Sequence, residues 1–273
     1  MNIDLHIHTS FSDGIYSPEE IVDRAHEKGL KVIAITDHDC VEGIAPALRR
    51  AEKYDLKVIP GIEMGSDEIH FLGYFIDYRD PVLLKTLERI DNFRIERALL
   101  IIEKLGRIGL HISFEDVKKY ARDGVVGRLH IARAVVNKGY ARDSDEVFNK
   151  YINSRKPAYV PLNVLKPEEV IESIKSAGGV PVIAHPVYTD ERLIRRAIDA
   201  GAAGIEIFHG MIDINSVNRF MKMARSRDLV VTGGTDYHGN GYYLDMGQTP
   251  VPSYVVEDLC RKARRKDCHN ENY

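Results

Sequence analysis

The chain is short of cysteine, of net charge and of long apolar runs, and each shortage removes a class of protein. Three cysteines (Cys40, Cys260 and Cys268) stand at unrelated spacings among 273 residues, which argues for a reducing compartment and against a disulfide framework. With 38 Lys and Arg against 41 Asp and Glu the formal charge is −3, so no global basic field draws the chain toward duplex DNA or an anionic membrane. No apolar run is long enough to span a bilayer, and the N-terminus lacks the basic-then-apolar order of a secretory signal. The expectation is a cytoplasmic protein with no membrane partner. A phosphate loop of the Walker type is also missing; the Gly-Gly pairs at 178–179 and 233–234 read as turns or helix stops. What remains is a 44% hydrophobic chain, ample for a large core, with eleven histidines whose positions matter more than their number.

Residues 3–7 read as a strand, and Ser17-Pro18-Glu19-Glu20 opens a helix that Gly29 stops. Val32 to Thr36 is a continuous apolar run suited to a strand buried on both faces, and it ends in Asp37-His38-Asp39. A helix over 44–54, a strand over 58–62 ending in Glu63 and a strand over 68–74 carrying His70 follow. This alternation predicts parallel βαβ units. From about 81 to 161 the texture changes to long amphipathic helices (82–107, 113–120, 129–138 and 143–151), read as a helical insertion. Alternation then resumes: helix 167–177, strand 180–184 with His185, helix 190–200, strand 204–208 with His209, helix 214–227, and strand 229–232 followed by Asp236 and His238. The basic run from Arg261 to Lys266 reads as a solvated helix end.

Strand after strand thus finishes its apolar run and then presents His, Asp or Glu, which is where barrels of parallel strands hold their active sites. His6 and His8 sit two residues apart on a strand and project to one face, and Asp236 and His238 repeat that spacing. One such residue is more often a cap or a satisfied turn former than a ligand. Many carboxylates and imidazoles meeting at one mouth would resist desolvation unless cations held them, so a metal centre is expected there. Cys40 reads as a small buried residue, and His26, His111 and His269 lack a strand-end context and read as surface groups.

The motifs Asp4-Leu5-His6-Ile7-His8-Thr9, Thr36-Asp37-His38, Gly61-Ile62-Glu63, His70 to Tyr74, Ala184-His185-Pro186 and Gly234 to His238 resemble, in order and over almost the whole chain, the PHP (polymerase and histidinol phosphatase) family. The resemblance implies a distorted (β/α)7 TIM-like barrel, formed by 1–80 and 162–273, with 81–161 as a helical insertion carrying phosphate-binding cations. It implies three divalent metal ions. His6, His8, Glu63 and Asp236 would hold one, Glu63 would bridge to a second held by His70 and His185, and Asp13, His38 and His238 would hold the third; Asp37 would orient a neighbour. This donor set without thiolate suits manganese, zinc or iron.

The insertion narrows the resemblance. Gly127 to Arg133 and Tyr151 to Pro161 resemble the subgroup that hydrolyses 3′,5′-nucleotide bisphosphates, although Leu129 stands where proline is usual, a change of backbone stiffness and not of charge. On this basis a hydroxide formed at adjacent cations is expected to attack the 3′-phosphate while Arg128 neutralises its oxygens, with His209 or the third metal serving the leaving oxygen. Arg128, His130, Arg133, Arg155 and Lys156 are the expected phosphate contacts. The alternatives are a 5′-to-3′ exonuclease on short RNA, a histidinol-phosphate phosphatase, and a barrel kept only as a structural module. The cationic insertion argues against the second, since a small amino-alcohol phosphate needs no second anion site, and a full ligand set argues against the third.

Overall fold

A computed structural model of the chain describes residues 2–264 apart from 67, 122, 123, 163, 211, 240, 242 and 243. The chain runs β1 (Ile3–Ile7), α1 (Pro18–Glu27), β2 (Val32–Ile35), α2 (Ile44–Ala51), β3 (Lys57–Gly65) and β4 (His70–Tyr74). Then come α3 (Pro81–Arg107), α4 (Phe114–Ala121), α5 (Arg128–Asn137) and α6 (Ser144–Val147), which runs into a π-helical turn, Phe148–Ile152. The remainder is α7 (Pro167–Ser176), β5 (Val180–Ile183), α8 (Glu191–Asp199), β6 (Gly204–His209), α9 (Ile214–Ser226), β7 (Val230–Gly234) and α10 (Tyr254–Lys262). Local signals set many of these ends. Ser17 accepts from Glu20 N–H while the Glu20 carboxylate takes the Ser17 N–H, a reciprocal cap at the start of α1. Pro81 and Pro167 open α3 and α7 where a missing N–H costs nothing.

The seven strands form one sheet in the order β1 to β7. It curls into a nearly closed barrel, because Tyr237, just beyond β7, pairs in parallel with Ile7. Its carbonyl accepts from His8 N–H at 2.9 Å and its N–H donates to His6 O at 3.1 Å. The barrel is α/β, as expected, but β4 runs antiparallel to both β3 and β5. Only residues 66–69 separate β3 from β4, too few for the crossover that a parallel neighbour needs. The consequence is functional: β4 is reversed, so its first residue, His70, reaches the mouth where the other strands end.

Two hydrophobic clusters fill the interior. One packs the strands against α1, α2, α7 to α10 and the first half of α3, through Leu83, Leu87 and Ile90. The other lies among the second half of α3 (Ala98, Ile101, Leu105), α4, α5 and the segment to Ala158. α3 is therefore a strut shared by both bodies. Among the described residues no helix is long and apolar enough to cross a membrane. Cys40 is free and buried; Cys268, His269 and the last two residues of the basic run lie outside the described residues.

Candidate metal centre

The strand ends bring nine expected metal ligands to one mouth. Alternation on β1 turns His6 and His8 inward together. His6 Nε2 lies 3.3 Å from both Glu63 Oε2 and Asp236 Oδ1, and His8 Nε2 lies 3.2 and 3.1 Å from the same two oxygens. Glu63 is the hub. Its Oε1 meets His70 Nδ1 at 2.8 Å and His185 Nε2 at 2.9 Å, and its Oε2 meets His38 Nδ1 at 3.2 Å. Asp13, in the loop after β1, faces His238 Nε2 at 3.2 Å and His8 Nδ1 at 3.7 Å. Three groups have donor atoms all within 4.8 Å of one another: His6, His8, Glu63 and Asp236; His8, Asp13, His38 and His238; and His38, Glu63 and His70. Two of these residues lie at turns with positive φ, His185 at 25° and Asp236 at 55°, conformations that persist where the surroundings over-determine them.

This donor set fits cations. His8 Nε2 and Asp13 Oδ1 are buried without a hydrogen bond, although carboxylate or ring atoms stand near both. The neighbours are close yet make no hydrogen bond to these atoms, and the donor atoms of each group stand within reach of a shared ion. The electrostatics agree. Burial alone would depress His8, yet the Asp236 and Glu63 carboxylates push it up to about 10. Burial would raise Glu63 and Asp13, but the surrounding imidazoles hold both well below the usual carboxylate range. Each charge type is tolerable here only beside the other, which is the environment in which a cation replaces ring protons.

Two carboxylates outside that set hold its geometry, Asp37 and Glu206, both among the polar residues that the sequence places at this face. Asp37, 1% exposed, accepts from Thr9 N–H at 2.6 Å, Thr9 Oγ1 at 2.7 Å and Ser12 Oγ at 2.5 Å, fixing the loop that carries Asp13. Glu206 on β6 meets His6 Nδ1 at 3.0 Å and accepts from His185 N–H at 2.7 Å, orienting two rings at once.

Beside the mouth, a cavity of about 120 Å³ is lined by Asp13, His38 and His70 from the barrel and by Arg94, Arg97 and Arg128 from α3 and α5. Arg94 donates from Nε to Asp39 at 2.8 Å, tying α3 to the loop of His38, and Arg97 donates to Val160 O at 2.8 Å. Neither was marked in the sequence, where arginines on a long helix look like solvated charges. The other expected phosphate contacts fall elsewhere. His130 is 1% exposed and its Nδ1 accepts from Gly127 N–H at 3.1 Å, so the ring caps α5 instead of facing the cavity. Arg133 donates to Asp13 O at 3.3 Å. Arg155 and Lys156 are exposed and do not line the cavity. His209 is buried with its ring edge-on to His185, centroids 6.3 Å apart, and burial lowers its pKa. His26 and His111 are exposed, and Cys40 donates to Glu42 at 3.0 Å.

Comparison with known proteins places this geometry in context. A family model described as PHP domain matches residues 4–154. A 3′,5′-nucleoside bisphosphate phosphatase of Chromobacterium violaceum is 34% identical over 251 residues, covering 88% of each chain. The 5′-3′ exoribonuclease Rnm of Escherichia coli is 32% identical over 257 residues, covering 90% of this chain and 88% of its own. Among solved structures, a Bifidobacterium adolescentis chain described as a metal-dependent phosphoesterase superposes with a TM-score of 0.88 at 28% identity, covering 95% of this chain and 96% of its own.

Proposed function

The chain belongs to the PHP domain family and is a phosphoric-ester hydrolase, and on that premise we propose that it removes the 3′-phosphate of 3′,5′-nucleotide bisphosphates. The observation that carries this reading is the cavity in which Arg94, Arg97 and Arg128 stand across from Asp13, His38 and His70. One phosphate can lie against the centre while guanidiniums hold anionic charge beside it, an arrangement a monoanionic amino-alcohol substrate would not need.

In this reading His6, His8, Glu63 and Asp236 hold one divalent cation, Glu63 with His70 and His185 a second, and Asp13, His38 and His238 a third, with manganese, zinc or iron as the fitting ions. Bound there, the cations supply Lewis-acid charge and acidify water near neutral pH. The protein's own share is positioning. Arg128 neutralises the non-bridging oxygens, Arg94 and Arg97 fix the approach of the ester, and His209 faces the leaving ribose oxygen. Residues 81–161 act as a cap that brings the arginines over the barrel mouth.

A second reading is supported by the 32% identity to the E. coli exoribonuclease: the same centre acting on the 5′ end of short RNA. The test is a Mn²⁺-supplemented panel of 3′,5′-bisphosphorylated nucleosides, 5′-phosphorylated oligoribonucleotides and histidinol phosphate. The proposal expects the bisphosphate to have the highest kcat/KM. Preference for the oligonucleotides would move the assignment to the exonuclease, and preference for histidinol phosphate would defeat both.

A further inference from the structure

We propose that Asp4 is a positioning residue of the metal centre: its carboxylate fixes the turn after β7 and so sets where Asp236 and His238 point. The inference rests on the reading of His6, His8, Glu63 and Asp236 as a cation site. Asp4 shares the inward face of β1 with His6, one pleat deeper, and is fully buried. A carboxylate there must find donors, and all of those it finds are set by the turn and its surroundings. Oδ1 accepts from Thr235 N–H at 3.0 Å and His6 N–H at 3.3 Å; Oδ2 accepts from Thr235 Oγ1 at 2.6 Å and Gly247 N–H at 2.8 Å. Asp4 itself touches no candidate ligand's side chain, so it acts through Thr235.

The turn needs such a hold. Asp236 sits at φ 55°, a left-handed conformation that an aspartate tolerates but does not favour. Gly234 allows the close approach, since a Cβ there would stand 2.5 Å from His6 N and 2.9 Å from Asp4 Oδ1. The Tyr237 backbone, on the other side of Asp236 in the chain, is stitched to His6 and His8. Asp4 therefore holds the residue before Asp236, Thr235, while the barrel's own seam holds the residue after it, Tyr237. Asp37 does the same for the loop after β1: a buried carboxylate takes both the N–H and the hydroxyl of a threonine, Thr9, adjoining a ligand. Two strands thus use one device, and each holds the ligand loop of the neighbouring strand.

The experiment measures Mn²⁺ binding by titration calorimetry to the wild type, to Asp4→Asn and to Thr235→Val, with Leu259→Ala as a core substitution remote from the mouth. Asparagine keeps one acceptor but opposes Gly247 N–H with a donor, and valine removes only the hydroxyl contact. Both variants are expected to lose about 10- to 100-fold in Mn²⁺ affinity. In the metal-free state both should speed amide exchange at 235–238, and at saturating Mn²⁺ they should recover most of kcat with KM unchanged. Should Asp4→Asn fail to fold, the isosteric Thr235→Val carries the test alone. Wild-type Mn²⁺ affinity in a folded variant, or an equal loss in Leu259→Ala, would overturn the inference. A wild type that binds no Mn²⁺ would instead remove the centre, and the inference with it.

Discussion

Replacing His130 by glutamine separates two roles that share one residue. Burial, reinforced by the Arg133 and Arg94 guanidiniums and only partly offset by Asp13, lowers the imidazole to about 4 in the folded chain. The unfolded chain holds it near its ordinary value of about 6.5. The folded state therefore refuses a proton that the unfolded state accepts. This contribution to stability is fully present above about pH 6.5 and is lost as pH falls toward 4. Worked through the linkage relation, the loss between pH 7 and pH 5 is about 2 kcal/mol. Glutamine at the same third helical position can still accept from Gly127 N–H, as in an ordinary reciprocal cap, but does not titrate. Paired urea unfolding of wild type and His130→Gln across pH 5–7 should show the wild type losing about 2 kcal/mol relative to the variant on acidification, since every other titrating group is common to both. A gap that stays constant with pH would refute the assignment of a buried, neutral cap. The KM for a bisphosphate should meanwhile change by less than about twofold, because the ring does not line the cavity. A rise of about tenfold would return His130 to the substrate.

Three further outcomes are expected. Asp13→Ala, or chelation of the wild type, should abolish phosphoester turnover while far-ultraviolet circular dichroism stays native; normal turnover by chelated protein would end the metal reading. Arg128→Ala should lower kcat/KM for a 3′,5′-bisphosphate by about 10- to 100-fold, the worth of one charge-assisted contact, and p-nitrophenyl phosphate hydrolysis by less; equal losses would mean that Arg128 acts on the fold. The double variant Arg155→Ala, Lys156→Ala should leave KM for the bisphosphate unchanged, since both side chains are exposed away from the cavity, and a clear rise in KM would show that the substrate extends over them.

The strand-end residues were legible because two independent regularities coincide in them: an apolar run marks a buried strand, and polar residues at its end cannot stay buried without a partner. Glu63, His185 and Asp236 could be found this way from sequence alone. His70 could be found too, but for a reason the alternation of elements did not contain. It stands at the start of its strand and reaches the mouth because β4 is reversed. Direction is set by the length of a connection, and the short link over 66–69 carried that information where strand-helix-strand periodicity did not.

The arginines show the opposite case. Arg94 and Arg97 stand three positions apart on a 27-residue helix rich in charge, and helical spacing alone cannot say whether such a pair faces water or a cavity. What decides it is the division of α3 between two cores. Leu83, Leu87 and Ile90 anchor its first half to the barrel, and Ala98, Ile101 and Leu105 anchor its second half to the cap. Arg94 falls at the crossing, where the helix passes the mouth and meets Asp39. The guanidinium is thereby placed against the loop that carries His38 by packing about one to three turns away on either side. Substitutions that loosen either core should then be felt first as a misplaced arginine, so Leu87→Ala should raise KM for the bisphosphate before it lowers the affinity for Mn²⁺. If Leu87→Ala weakened Mn²⁺ binding and left KM intact, α3 would be a support for the centre and not the arm that carries the substrate's charge.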